Sequence, residues 1–411
     1  MAIGKDLMLK KGNQYINQLC SEIGERCVGS EGNKNATGFF AEQLESYGFE
    51  VEMPKYPCFD WHDHGAGLKV DGQSFEMFTC PYSVGGELKG ELCSIANLEQ
   101  LKQVEGAGKI ALLKGEIAKE QLMPKNFPFY NPQEHQEIIS LLESKGFVGV
   151  ISATGMNLEM AGGIYPFPLI EDGDFNLPAV YMKDVEGERL SAYEGKLITM
   201  EVRAERIPSE GCNVEARKGD HKAPGLVFLA HIDSKQGTPG AIDNASGIVT
   251  LLLLGELLAG FKGPLQVEIT AINGEDYYSN PGEQLYLSTI KNRVSDIMLG
   301  VNIDGAGYKN SKTAFSLYNL PLHLQETVKE VFSSYDGIIE GEPWYQGDHS
   351  LFLQKQIPAL ALTSKQMEEI IKVAHTEADK PDLVNCNMLV ELAEALSKLV
   401  AVLSKEKGVR S

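Results

Sequence analysis

Long apolar runs are missing from this chain of 411 residues. The longest, Ile248 to Leu254, is broken by Thr250. It falls far short of the ~20 residues that a membrane-crossing helix needs, so no membrane partner is expected. The stretch from Met1 to Lys11 holds no continuous apolar segment and does not read as a secretory leader. Basic residues are in deficit: Lys and Arg total 37 against 57 Asp and Glu, a formal net charge of -20. Such a field repels a phosphate backbone, and no basic block reverses it locally, which argues against nucleic acid as a partner. Cysteines are scattered and odd in number: Cys20, Cys27, Cys58, Cys80, Cys93, Cys212 and Cys386, with no CxxC pair. A cysteine-built zinc site is therefore not expected, and reduced thiols in a cytoplasmic protein are. No internal repeat or low-complexity segment is visible.

What remains is the composition of an ordinary globular protein, 43% hydrophobic and 23% charged. The length suggests two or three domains with room for a large core. Leu7, Ile16, Leu19 and Ile23 recur at helical spacing. A second helix is predicted from Asn35 to Tyr47, closed by Gly48, followed by a strand over Phe49–Met53. From Pro57 to Glu205 the texture changes. Gly and Pro become frequent, and short strand-like runs appear at Ile110–Leu113, Val148–Ile151, Ala179–Met182 and Leu197–Val202, with one helix over Glu134–Lys145. From Cys212 onward strands and helices alternate: strands at Leu226–Ala230, Val267–Ile272, Met298–Ile303 and Ala359–Leu362, helices at Ala245–Leu258 and Asn387–Leu403. Continuously apolar strands between helices predict an α/β fold with a mixed, mostly parallel sheet flanked by helices.

The chemistry-bearing residues follow these strands, where ligands bind in open α/β sheets. His231 follows the first. Asp243 lies in Pro239-Gly240-Ala241-Ile242-Asp243-Asn244-Ala245-Ser246-Gly247. Glu275-Asp276 follow the second strand, Asp304 ends the third, and His375 comes late. Singly, each has an ordinary explanation as a turn residue, a helix cap or a solvated acid. Together they are the imidazoles and carboxylates that a pair of Zn²⁺ or other divalent ions requires, with a carboxylate to bridge them and an acid left over as a base. The pair His62 and His64 has no third ligand nearby and reads as a surface turn.

On these motifs residues 212–386 resemble the M28 family of zinc peptidases. The likeness runs through Cys212-Asn213-Val214, His231-Ile232-Asp233-Ser234, the Pro239–Gly247 segment, Glu275-Asp276, Asn302-Ile303-Asp304, Asp348-His349-Ser350 and His375-Thr376 with Asp379. Arg26-Cys27-Val28-Gly29-Ser30 resembles the start of the same domain. The resemblance implies a discontinuous zinc peptidase domain, 1–57 with 205–411, of the zinc-exopeptidase type. Residues 58–204 would form an inserted small β-rich domain, leaning over the site and limiting it to short peptides. Gly108–Leu113, Gly146–Ile151 and Leu177–Tyr181 make that insert resemble a protease-associated domain.

Carried over by position, the resemblance makes Asp243 a bridge between two Zn²⁺ ions. His231 and Asp304 would complete one site, and Asp276 and His375 the other. Glu275 would be the general base and Asp233 would orient His231. Tyr345 would donate to the oxyanion, with Trp344 shaping the pocket. The peptide bond between Asp243 and Asn244 would be cis. Two positions depart from the family pattern: Asp276, where Glu is usual, and Gly347, where Ser is frequent. The expected activity is hydrolysis of N-terminal residues from short peptides. A carboxypeptidase, a glutaminyl-cyclase-like enzyme and an inactive binding homologue are the other readings. Few basic residues lie near the motifs to hold a terminal carboxylate: Lys235, Lys309 and Lys355.

Overall fold

The apolar run at Leu226–Ala230 becomes the middle of a mixed eight-stranded sheet in the computed structural model, which describes residues 4–157 and 164–408. In chain order the strands are β1 (Glu50–Glu52), β2 (Val214–Gly219), β3 (Gly225–His231), β4 (Gln266–Ile272), β5 (Ile297–Ile303), β6 (Thr313–Tyr318), β7 (Ile338–Glu340) and β8 (Ala359–Ser364). Their spatial order is β1-β2-β4-β3-β5-β8-β6-β7. β4, β3, β5 and β8 are mutually parallel, β2 is antiparallel to β1 and β4, and β6 is antiparallel to β8. After β3 the chain goes first to β4 on one side and later to β5 on the other. The strand order therefore reverses at β3, and its C-terminal end opens the crevice that α/β sheets use for ligands.

Helices cover this sheet, which is why β3 and β4 are buried along their whole length and show no alternation. The helix Ser246–Leu257 packs against Lys5–Asn17, Glu31–Ser46 and Cys386–Gly408. Its residues Leu251, Leu252, Leu253 and Leu254 are all fully buried. Each such side chain contributes about 1.5–3 kcal/mol on burial, so this run commits the helix to the interior on every side.

The contact pattern separates two units: the chain up to Cys58 joined with the chain from Glu210 onward, and the intervening Phe59–Ser209. The second sheet also has eight strands, centred on Gly86–Ile95, Lys109–Leu113, Gly149–Thr154 and Ala179–Lys183, which pair in parallel. One hydrophobic cluster holds Leu101, Ile138 and Leu142 of the helices Leu98–Gln103 and Gln133–Ser144, and another holds Leu190 of Asp184–Ser191. Two of those three helices were not legible in the sequence. Both are short and lack the repeated apolar spacing that marks Gln133–Ser144.

The Trp61–His64 segment is a correction. It lies inside a strand of 16 residues, Lys55–Val70, not in a turn. Pro57, Gly65 and Gly67 argue against a strand locally, and sheet pairing overrides them. The rings of His62 and His64 sit 6.4 Å apart and both residues are exposed. Among the described residues they belong to no metal-ligating group.

Candidate metal centre

His231 is the last residue of β3 and is 1% exposed. Its Nε2 faces Asp243 Oδ1 at 3.1 Å and Asp304 Oδ1 at 3.6 Å. His375 Nε2 faces Asp243 Oδ2 at 3.1 Å and Asp276 Oδ1 at 2.9 Å. The two oxygens of Asp243 thus address one imidazole each. Two groups of potential ligand atoms result, His231/Asp243/Asp304 and Asp243/Asp276/His375, each with its atoms within 4.8 Å of one another. A third such group, His231/Glu275/Asp276, overlaps both. Asp276 reaches its cluster despite being one methylene shorter than Glu.

Both ring nitrogens of His231 and Oδ2 of Asp276 are buried without a well-formed hydrogen bond. Leaving such an atom unpaired costs roughly 1–3 kcal/mol. Imidazole nitrogens and carboxylate oxygens converging in this way fit Zn²⁺ and similar divalent ions, to which the unpaired atoms could be offered as ligands. The surrounding carboxylates favour positive charge at this place. Burial alone would lower His231 and His375, but the facing carboxylates hold both well above the usual histidine range. Burial alone would raise Asp243, and the two imidazoles hold it well below the usual carboxylate range.

Buried polar groups fix the main chain beneath these ligands. Asp233 accepts from the amides of Gly274 at 2.8 Å and Asp276 at 2.9 Å. Its separation from His231 Nδ1 is 3.8 Å, too long for a hydrogen bond. Asp233 therefore holds the acidic turn and stands behind His231 Nδ1 as a neighbouring charge. Asn280 donates to the carbonyls of Gly274 and Glu275, completing the hold on that turn. Behind it, Asn33 and Asn273 exchange reciprocal 2.8 Å bonds, and Asn213 accepts from Asn273 N. Asn244 ties the Asp243 loop to β5, donating to Ile303 O at 2.8 Å. The Asp243–Asn244 peptide is cis. Asn33, Asn273 and Asn280 carried no signal in the sequence, where asparagines at element ends read as ordinary turn residues.

Tyr345 is also corrected. After β7 the chain runs without regular structure through this residue, which is 83% exposed. A donor in open water has lost the preorganised, low-dielectric setting that oxyanion stabilisation needs. The half-buried Trp344 accepts from the Tyr318 hydroxyl through its carbonyl. Gly347 has a φ of +99°, a backbone that a side chain strains, which accounts for glycine in place of serine.

Beside these clusters stands a row of acids, Asp348 and Glu283 buried and Glu275 half-buried. Burial raises Glu275 well above the usual range, and Asp276, Asp348 and Asp304 add to the effect against the opposing His231. Asp348 is raised by burial and by Glu283, and the two carboxyls lie within hydrogen-bonding reach. Glu283, which no motif singles out, is 4% exposed and pushed up to about 8 by burial and by Glu275. In the metal-free protein its proton is kept on folding between an ordinary value of 4.5 and about 8. The native state binds more protons than the unfolded state in that window, so this group's contribution falls as pH rises through it. Glu283→Gln removes that dependence. The expected result in urea unfolding of metal-free protein is a gain of a few kcal/mol at pH 8, at most ~5, and little gain near pH 4. Equal effects at both pH values would refute the assignment.

A sheet with two imidazole–carboxylate clusters sharing one aspartate above its switch point defines a metal-binding α/β protein. Residues 213–400 match the model of peptidase family M28. Two solved structures share the fold across nearly the whole chain. An aminopeptidase from Aneurinibacillus sp. strain AM-1 superposes with a TM-score of 0.73 at 21% identity, covering 95% of this chain and 93% of that one. A zinc aminopeptidase from Bacillus subtilis gives 0.71 at 17% identity, covering 95% and 94%. The probable lipoprotein aminopeptidase LpqL of Mycobacterium tuberculosis is 20% identical over 317 residues, 74% of this chain but 59% of that protein. The curated relatives are matched over 10 to 59% of their own lengths.

Proposed function

We propose that this protein is a zinc-dependent exopeptidase that removes N-terminal residues from short peptides. The observation that carries the reading is Asp243, whose two carboxylate oxygens each face a different histidine across separate ligand clusters. His231 and Asp304 would hold one ion, Asp276 and His375 the other, and Asp243 both. The Bacillus subtilis structure is described as a zinc enzyme, and the nitrogen and oxygen donors here suit the same metal. When bound, such a pair supplies Lewis-acid polarisation of a carbonyl and renders a water acidic near neutral pH.

Glu275 then has the proton work. It stands outside the two clusters that share Asp243, within reach of His231 and Asp276. It takes a proton from water and returns it to the leaving amine. Asp233 and Asn280 hold its main chain, so the carboxylate acts from a fixed base. The inactive-homologue reading is disfavoured because every expected ligand and the base are present and brought together.

Polarity rests on charge. Asp243, Glu275, Asp276, Asp304 and Asp348 surround the site, and a substrate ammonium is easier to accommodate there than a carboxylate. Lys309 is engaged by Asp382 at 3.0 Å. Lys235 acts electrostatically on Asp276, which favours keeping carboxypeptidase as the second reading. Residues 58–204 are assigned as a protease-associated-like insert on their parallel strands, and a cytoplasmic location on the cysteine pattern. The test uses one peptide in three forms. The zinc-loaded protein should shorten the free and C-amidated peptides from the amino end and spare the N-acetylated one. Loss of activity on the amidated form alone would reverse the polarity. Release of ammonia without shortening would indicate a cyclase.

A further inference from the structure

Arg26 is 0% exposed although it carries a charge. Its guanidinium donates to five main-chain carbonyls: Ile232 at 2.9 Å, Leu19 at 3.3 Å, Gly24 at 3.1 Å, Pro239 at 2.8 Å and Gly240 at 2.9 Å. Ile232, Pro239 and Gly240 belong to the loop that separates His231 from Asp243. Asp379, also 0% exposed, engages the same loop through its amides. Its Oδ1 accepts from Ile242 N at 2.8 Å and its Oδ2 from Asp243 N at 3.0 Å, while its carbonyl accepts from Ala241 N at 3.3 Å. Asp379 lies four residues beyond His375 on the same stretch of chain. A cation thus gathers the loop's carbonyls and an anion its amides, over Pro239 to Asp243.

The loop has no slack. Gly240 adopts a left-handed φ of +56°, and a Cβ there would meet Arg26 Nη2 at 2.8 Å and Asp243 O at 2.7 Å. An isolated buried charge is unfavourable, and a buried ion pair is a poor route to stability alone. Bonds from all three nitrogens of a rigid planar fork, with an Nη1 hydrogen shared between two carbonyls, suit a different task, fixing a backbone path. We infer that Arg26 and Asp379 form a clamp on the 239–243 loop, setting the main chain of Asp243 so that its two oxygens face His231 and His375. They are positioning residues for metal capture and not themselves ligands. This inference rests on the metal-dependent reading above.

The test compares zinc affinity in a chelator competition for wild type, Arg26→Lys, Asp379→Asn and the double variant, alongside the unfolding midpoint of each in metal-free form. Lysine keeps the charge with fewer donors, and asparagine keeps the shape but cannot accept both amides. Each single variant should bind zinc about 10–100-fold more weakly, the usual effect of removing a residue that supports a ligand. The double variant should lose less than the two single effects combined, because both act on one loop. Arg26→Ala, if it folds, should recover zinc affinity with millimolar guanidinium and not with equimolar NaCl, a rescue that general destabilisation does not produce. Unchanged zinc affinity in the single variants, or losses that track the fall in metal-free stability with independent effects, would overturn the clamp. Wild-type protein that takes up no zinc would overturn the functional reading and the clamp with it.

Discussion

Glu275→Gln should lower kcat by a factor on the order of 10²–10⁴ while metal content and fold stay nearly intact. Gln keeps the size of the side chain, and the bonds from Asn280 and to Asp233 involve only main-chain atoms of the turn. What disappears is the ability to take a proton from water and pass it to the leaving amine. Metal analysis beside steady-state kinetics checks the result. Near-normal turnover with full metal content would move the role to another group. Loss of metal along with activity would show that Glu275 is a ligand, as its presence in the His231/Glu275/Asp276 group allows.

Asp243→Ala should have the second large effect, on metal binding itself. Both clusters that share this residue lose a carboxylate oxygen at once. The affinity of the whole centre should fall by more than about 10²-fold, beyond the 10–100-fold typical of losing a supporting residue. His375→Ala removes a ligand from one cluster only. It should leave the His231/Asp243/Asp304 group able to hold an ion. Calorimetric zinc titration separates the cases: a variant without Asp243 that still binds a pair of ions would break the bridging assignment.

Most of the site was legible because its residues occupy strand ends. His231, Glu275-Asp276 and Asp304 each follow an apolar run, and in a parallel sheet such runs deliver their C-terminal neighbours to one edge. The support beneath them was largely illegible. Glu283 is one acid among many until the helix Pro281–Ile290 buries it beside Glu275. Arg26 sits in a segment whose likeness to the family marked the start of the domain and nothing of its task. Its five carbonyl partners are spread from Leu19 to Gly240. Tyr345 shows the reverse error. Sequence position placed it beside Asp348, but a segment without regular structure carries its ring into solvent.

The α/β alternation and the change of texture between the two units were readable from periodicity and composition, which are local properties of the chain, and the resemblance to the M28 family named the side chains expected to hold metal. The fold adds the distances: Asp243 Oδ1 at 3.1 Å from His231 and Oδ2 at 3.1 Å from His375, with Asp304 and Asp276 beside them. It gave Asp233 a second task as the support of the acidic turn, and turned the Trp61–His64 segment into a strand. Each of these outcomes depends on groups far apart in the chain meeting at one crossing of the sheet, and on which of them is left buried without water. A one-dimensional pattern contains neither quantity.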